Sequence, residues 1–175
     1  MAVSTGGAIA RIESFIDRVG NFTAYIALAV IFLVATNVVL RYLFSFGSVW
    51  AQELEWHLLA ALILFGMSYA LQRGDNVRVD LFYANYSPRK KYLVYLLSVG
   101  LTMLVALLFI KLSLGYVAQA WSIGEKSPDP GGIPWRWAVK SLIPVGFALL
   151  VLQSVGQLLR TVGLAERLGH KPTEL

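Results

Sequence analysis

The chain has 175 residues, 57% of them hydrophobic and 14% charged, with a formal charge of +5 and no cysteine. That balance lies far from a soluble globular domain, and the missing thiols exclude disulfides, iron–sulfur clusters and thiolate chemistry. The positive charge is spread over short connections, which argues for membrane topology and against nucleic acid.

In chain order, Ile9, Ile12, Phe15, Ile16 and Val19 come first, recurring at helical spacing with Arg11, Glu13, Asp17 and Arg18 between them. This predicts an amphipathic helix over about 8–20, lying on the inner membrane surface. Residues 22–40 form a charge-free run of 19, close to the roughly 20 that a ~30 Å hydrocarbon core demands of a helix. Met1 to Ala10 carries no basic cluster, and a run of 19 is long for a signal-peptide core, so this first span is expected to stay as an anchor.

A second span over 50–71 carries Glu53, Glu55 and His57 in its first two turns, and reaches bilayer length only with those groups at the outer edge of the lipid. A third, 92–110, follows the helix-start signal Ser87-Pro88 and runs past Lys111 to about Ala120, long enough to require a tilt. Residues 127–134, Ser-Pro-Asp-Pro-Gly-Gly-Ile-Pro, form an irregular outer loop. Trp121, Trp135 and Trp137 flank it as an interfacial belt, and Tyr42, Trp50 and Trp56 mark the same interface around the first connection. The last run, 141–159, precedes a polar tail over 161–175.

The expected architecture is an all-α membrane protein of one domain, with spans over about 21–41, 50–72, 90–120 and 136–160 plus the interfacial helix. Ten Lys and Arg fall on the side of the termini and the second connection, and four on the other. By the positive-inside rule both termini are therefore expected in the cytoplasm. No internal repeat is present, so an inverted-repeat transport core is not contained in this chain.

Charged residues at membrane depth are the natural place to look for chemistry. Glu53 lies 20 residues before Arg73, Lys111 lies 20 after Lys91, and Lys140 lies 20 before Arg160. Twenty residues of helix rise roughly 30 Å, so Glu53, Lys111 and Lys140 are expected at one outer level with Arg41. The bland reading is a set of ion pairs and snorkelling side chains that lock helix ends to each other and to a partner. The sharper one is a proton relay through Glu53, Glu55 and His57. It is disfavoured because Glu53 and Glu55 point to nearly opposite faces and no carboxylate lies at mid-bilayer. Lys111 shares a helix face with Gly100, Gly115 and Ala118, and Gly66 lies in the second span; such small residues allow close helix packing. Gly146, Gln153 and Gln157 form a polar stripe of the kind that bonds another helix, and Asn37 pairs with Arg41 at i, i+4.

Enzymatic readings fare poorly. Haem between membrane helices needs two axial ligands at matching depth, and of two histidines only His57 is near the membrane, His170 being in the tail. There is no phosphate loop, metal-ligand spacing or nucleophile with a base, so neither an enzyme nor a cofactor is expected.

The segment Leu71-Gln72-Arg73-Gly74-Asp75-Asn76-Val77-Arg78-Val79-Asp80, following a span that opens with acids and contains Gly66, resembles the small membrane subunit of TRAP transporters, the tripartite ATP-independent periplasmic carriers. Arg41-Tyr42-Leu43-Phe44, Glu53-Leu54, Ile133-Pro134, Lys140-Ser141 and Ile143-Pro144-Val145-Gly146-Phe147 agree, so the resemblance covers nearly the whole chain. Many members carry His where this chain has Asn76, a departure that points to a subgroup. The resemblance implies three partners: a large membrane subunit that moves solute with sodium, a periplasmic solute-binding protein for organic acids, and membrane lipids. The small subunit braces the large one in the inner membrane and helps form the docking surface. Asn76, Arg78 and Asp80 belong on this view to the inner connection, with Arg78 and Asp80 stabilising it by pairing or capping. Two alternatives stay open: an autonomous proton-coupled exporter using Glu53 or Glu55, and a membrane anchor for another complex.

Overall fold

A computed structural model describes residues 2–75 and 85–167, with side chains over 6–75 and 85–162. Four helices follow one another: α1 (Ala2–Phe44), α2 (Val49–Arg73), α3 (Pro88–Ser122) and α4 (Arg136–Arg167). All four are long and apolar enough to cross a membrane. The motif residues Asn76, Arg78 and Asp80 lie outside the described residues.

Glycine shapes two of the helix ends. Gly74 closes α2 in the left-handed conformation at φ 74°, with its N–H donating to the Leu71 carbonyl at 3.4 Å and the Asp75 N–H donating to that of Ala70 at 3.1 Å. Gly124 does the same beyond α3 at φ 60°, through Gly124 N–H to Trp121 O (3.1 Å) and Glu125 N–H to Ala120 O (2.9 Å). Both are paired-bond caps that satisfy carbonyls otherwise left open at a helix end. At its start α2 is capped by Ser48, whose hydroxyl accepts from the Ala51 N–H at 3.4 Å.

The bundle has two ends, one carrying the 45–48 and 123–135 connections and the other both termini. α1 and α2 run antiparallel, with Gly20 against the Tyr69 ring and Asn37 opposite Glu55. α2 and α4 run parallel, in register through Glu53 and Arg136, Leu64 and Gly146, Leu71 and Gln157. α3 is the outlier: it packs on α4 and makes no comparable contact with α1 or α2. Its register on α4 is set by Phe109 stacked on Phe147 (ring centroids 4.7 Å apart), Tyr116 under Lys140, and Trp121 edge-on to Trp137 (4.6 Å).

Buried positions repeat every seven residues: Ile16, Thr23, Val30 and Asn37 on α1, and Val99, Ala106, Ser113 and Ala120 on α3. A seven-residue repeat is the pattern of left-handed helix packing, and the small members at the α3–α4 seam are what a membrane interface selects.

The N-terminal segment corrects an expectation. It is helical, but it is not a separate helix lying on the membrane surface. α1 continues unbroken for 43 residues, about 64 Å at 1.5 Å per residue. Part of the apolar stripe read as lipid-facing turns onto protein instead, while Phe15 stays exposed. Ile16 is fully buried, Ile12 sits against Gly156 of α4, and Gly20 lies under Tyr69 of α2.

The glycines divide sharply. A Cβ added at Gly146 meets the Leu64 Cβ at 2.7 Å and its carbonyl oxygen at 2.9 Å, whereas one added at Gly66, Gly100 or Gly115 meets nothing within 4 Å. Gly146→Ala is therefore expected to destabilise the detergent-solubilised chain by about 1–3 kcal/mol, the usual range for overpacking. Gly66→Ala should be neutral or stabilising. Thermal unfolding followed by circular dichroism compares the two.

Candidate functional site

The densest polar constellation sits at the loop end and is organised by Glu53. Only 8% exposed, this carboxylate projects from the second turn of α2 beneath the 123–135 connection. Its Oε1 accepts from the Ser127 hydroxyl and, at 3.3 Å, from Arg136 Nη2; its Oε2 accepts from the Ile133 N–H at 2.6 Å. One side chain thus ties together α2, two points of the irregular loop and the first residue of α4. The loop closes around it. Ser127 Oγ also accepts from the Asp129 N–H (3.2 Å), and the Gly132 N–H donates to the Asp129 carbonyl (3.0 Å). Gly132 must lack a side chain, since a Cβ there falls 2.8 Å from Glu53 Oε2 and closer still to Ser127.

A second pair lies just below. Lys140 Nζ bonds the Glu125 carboxylate and stands 3.7 Å from the centroid of the Tyr116 ring, a cation held by an anion and an aromatic face together. The Arg136 N–H donates to the Glu125 carbonyl at 3.3 Å, joining the two pairs through the backbone.

The other predicted residues of this end fall elsewhere. Glu55, on a different face of α2, accepts from Asn37 Nδ2 at 2.9 Å and links α2 to α1. His57 Nδ1 lies 2.5 Å from the Glu53 carbonyl one turn back, and its Nε2 is buried without a partner. Arg41 and Lys111 are exposed and have no ion pair or hydrogen bond among the described residues. The structure therefore joins Glu53 and Lys140 to partners the sequence did not single out as such, Arg136, Ser127 and Glu125. The available signal was the loop itself, whose eight turn-forming residues need an anchor that a buried acid one helix away can provide.

The terminal end holds a looser cluster. Arg73 pairs with Asp17 at 3.1 Å and Arg160 with Glu13 at 3.3 Å, both largely in the open. Gln72 Nε2 donates to the Glu13 carbonyl (3.2 Å) and to Asp17 (3.3 Å). Of the predicted polar stripe, Gln157 Nε2 donates to the Leu71 carbonyl at 2.8 Å, Gly146 abuts Leu64, and Gln153, 3% exposed, keeps a buried Oε1 without a partner. Gln153, Gln157, Gln72, Tyr95 and Glu13 line a cavity of about 290 Å³ between the helices. Between the two ends, among the described residues, no acidic side chain occurs on any helix.

This is a multi-pass membrane protein whose carboxylates at membrane depth hold its own helices and loop together. A profile of the family described as "Tripartite ATP-independent periplasmic transporters, DctQ component" matches residues 30–164, and the chain belongs to that family. It is also similar to the C4-dicarboxylate TRAP transporter small permease protein DctQ of Vibrio cholerae serotype O1, 26% identical over an alignment covering 93% of this chain and 83% of the relative. The family is a transporter component and not an enzyme.

Removing the Glu53 carboxylate leaves the Ile133 N–H and the Arg136 guanidinium without their acceptor. Glu53→Ala is expected to free the loop, so that tryptic cleavage after the exposed Lys126 accelerates by about tenfold in detergent, as local opening rises. Arg160→Ala, which breaks an exposed pair, should leave that rate unchanged.

Proposed function

We propose that this chain is the small permease subunit of a sodium-driven, binding-protein-dependent secondary transporter of the inner membrane, taking up organic acids of the C4-dicarboxylate class. Its role is to brace a large transport subunit, and its loop end faces the periplasm as part of the surface on which the solute-binding protein docks. The solute class comes from the relative's name and is carried over as part of this proposal. The orientation rests on the Lys and Arg count, ten against four in favour of cytoplasmic termini.

One observation carries the scaffold reading. The two acids at membrane depth, Glu53 and Glu55, are both engaged inside the chain, one by Ser127, Ile133 and Arg136 and the other by Asn37. A proton or sodium carrier site needs an acid free to exchange its partner near mid-membrane. Coupling to sodium therefore belongs to the large subunit, and the small one supplies a static wall.

Affinity purification of the tagged chain from native membranes in mild detergent is expected to bring a large polytopic subunit in about equal amount, and transport in proteoliposomes supplied with the solute-binding protein should require both. Uptake or efflux driven by this chain alone would refute the proposal. Glu53→Gln is expected to lower the yield of assembled complex while each assembled complex keeps its sodium-to-solute ratio. A fully assembled variant with an altered ratio would move Glu53 from the scaffold to the coupling machinery.

A further inference from the structure

Lys111 is placed unlike any other charge among the described residues. The register of α3 on α4 sets its depth: it follows Phe109, which stacks on Phe147, and lies level with Gly146, itself against Leu64 in the middle of α2. It precedes Trp121 by ten residues, about 15 Å of helix. Trp121 and Trp137, packed edge to face, mark the interface at the loop end. Lys111 therefore stands near the middle of the hydrocarbon layer, deeper than Glu53 or Lys140. The equal outer level read from its spacing to Lys91 fails because α3 begins well outside the lipid: its Tyr95, not Lys91, shares the terminal-end cavity with Gln157 and Arg160.

Its direction matters as much as its depth. At 3.6 residues per turn, Lys111 lies about 150° round the helix from the buried Ala106 and Ser113 that face α4. It is exposed and has no partner among the described residues, and α4 is the only helix packed closely on α3. A lysine reaches the headgroups from near a helix end; at mid-bilayer such a group faces protein or pairs. The same face carries Gly100, Gly115 and Ala118, all exposed and with open space over both glycines, which lets another helix approach closely.

We infer that the Lys111 face of α3 is the seat of a membrane-spanning helix of the large transport subunit, and that this helix presents a carboxylate to Lys111 at mid-membrane depth. The inference rests on the reading of this chain as the small subunit and adds the surface and chemistry of contact. Charge complementarity selects the occupant. Acyl chains offer the ammonium nothing, and a second copy of this chain seated symmetrically brings another Lys111 and no acid, since none of the described residues between the two charged ends is acidic. A pair formed in lipid is also beyond the reach of salt screening.

The test compares Lys111→Leu, Lys111→Arg and the unaltered chain, each tagged and purified with the large subunit co-expressed. Lys111→Leu is expected to recover about tenfold less large subunit, the scale of one charge-assisted hydrogen bond. Lys111→Arg should recover nearly as much as the unaltered chain, and molar salt should not release the complex. Purified alone, Lys111→Leu should unfold at the same or a higher temperature, because in isolation it only loses a lipid-exposed charge. A photo-crosslinker at the exposed neighbour Leu108 should capture the large subunit. Full recovery with Lys111→Leu, loss of stability in the isolated variant, or a crosslink to a second copy would each overturn the inference. Failure of the unaltered chain to recover any large subunit would instead overturn the proposed function.

Discussion

Hydrocarbon offers no hydrogen bonds, and this one constraint accounts for most of how the molecule is built. A polar group inside the span must find its partner in protein or carry a cost of several kcal/mol. The buried hydroxyls meet that demand locally. Thr23, Ser68, Ser113 and Ser154 each donate to a carbonyl three or four residues back on their own helix. Bonded this way they behave toward neighbouring helices as small, nearly apolar residues, which is why Thr23 can sit in the seven-residue seam of α1 and Ser113 in that of α3. Three longer polar side chains reach across instead: Asn37 to Glu55, Gln157 to the Leu71 carbonyl, and Glu53 to the loop.

The two ends answer the constraint differently. At the loop end an irregular segment rich in Gly and Pro has backbone donors with no ladder to join, and Glu53 and Ser127 supply acceptors from within. The result is a rigid lid over α2 and α4. At the terminal end the pairs are exposed and long side chains bridge three helices, with a polar cavity left between them. Loose pairing at this end costs nothing where water is present.

α3 shows what remains once the chain's internal demands are met. α1, α2 and α4 pack mutually, while α3 leans on α4 alone and leaves most of its circumference uncovered. A peripheral helix is comfortable in lipid if it is wholly apolar. The cation Lys111 on its uncovered face is the exception, and the proposed contact with the large subunit gives it a partner.

Much was legible before any coordinates. The four long apolar helices, the turn-rich loop and the helix start at Pro88 follow from composition and local chemistry, because hydropathy and capping act over a few residues. Glu53 was marked by its cost at membrane depth, and the family by motifs spread over the chain. What tertiary structure alone decided was which groups meet. The partners of Glu53 lie 74 to 83 residues away, a distance over which spacing carries no information. The seam of α3 fell on Val99, Ala106, Ser113 and Ala120, not on the glycine face. Within the 8–20 stripe, Ile12 and Ile16 turned onto protein while Phe15 stayed exposed. Spacing from the nearest basic residue put Lys111 level with Lys140, whereas the packing of α3 on α4 sets Tyr116 there. Helix existence is written in local pattern, whereas register and facing are set by packing between helices, and those two determined which of the described charges meet.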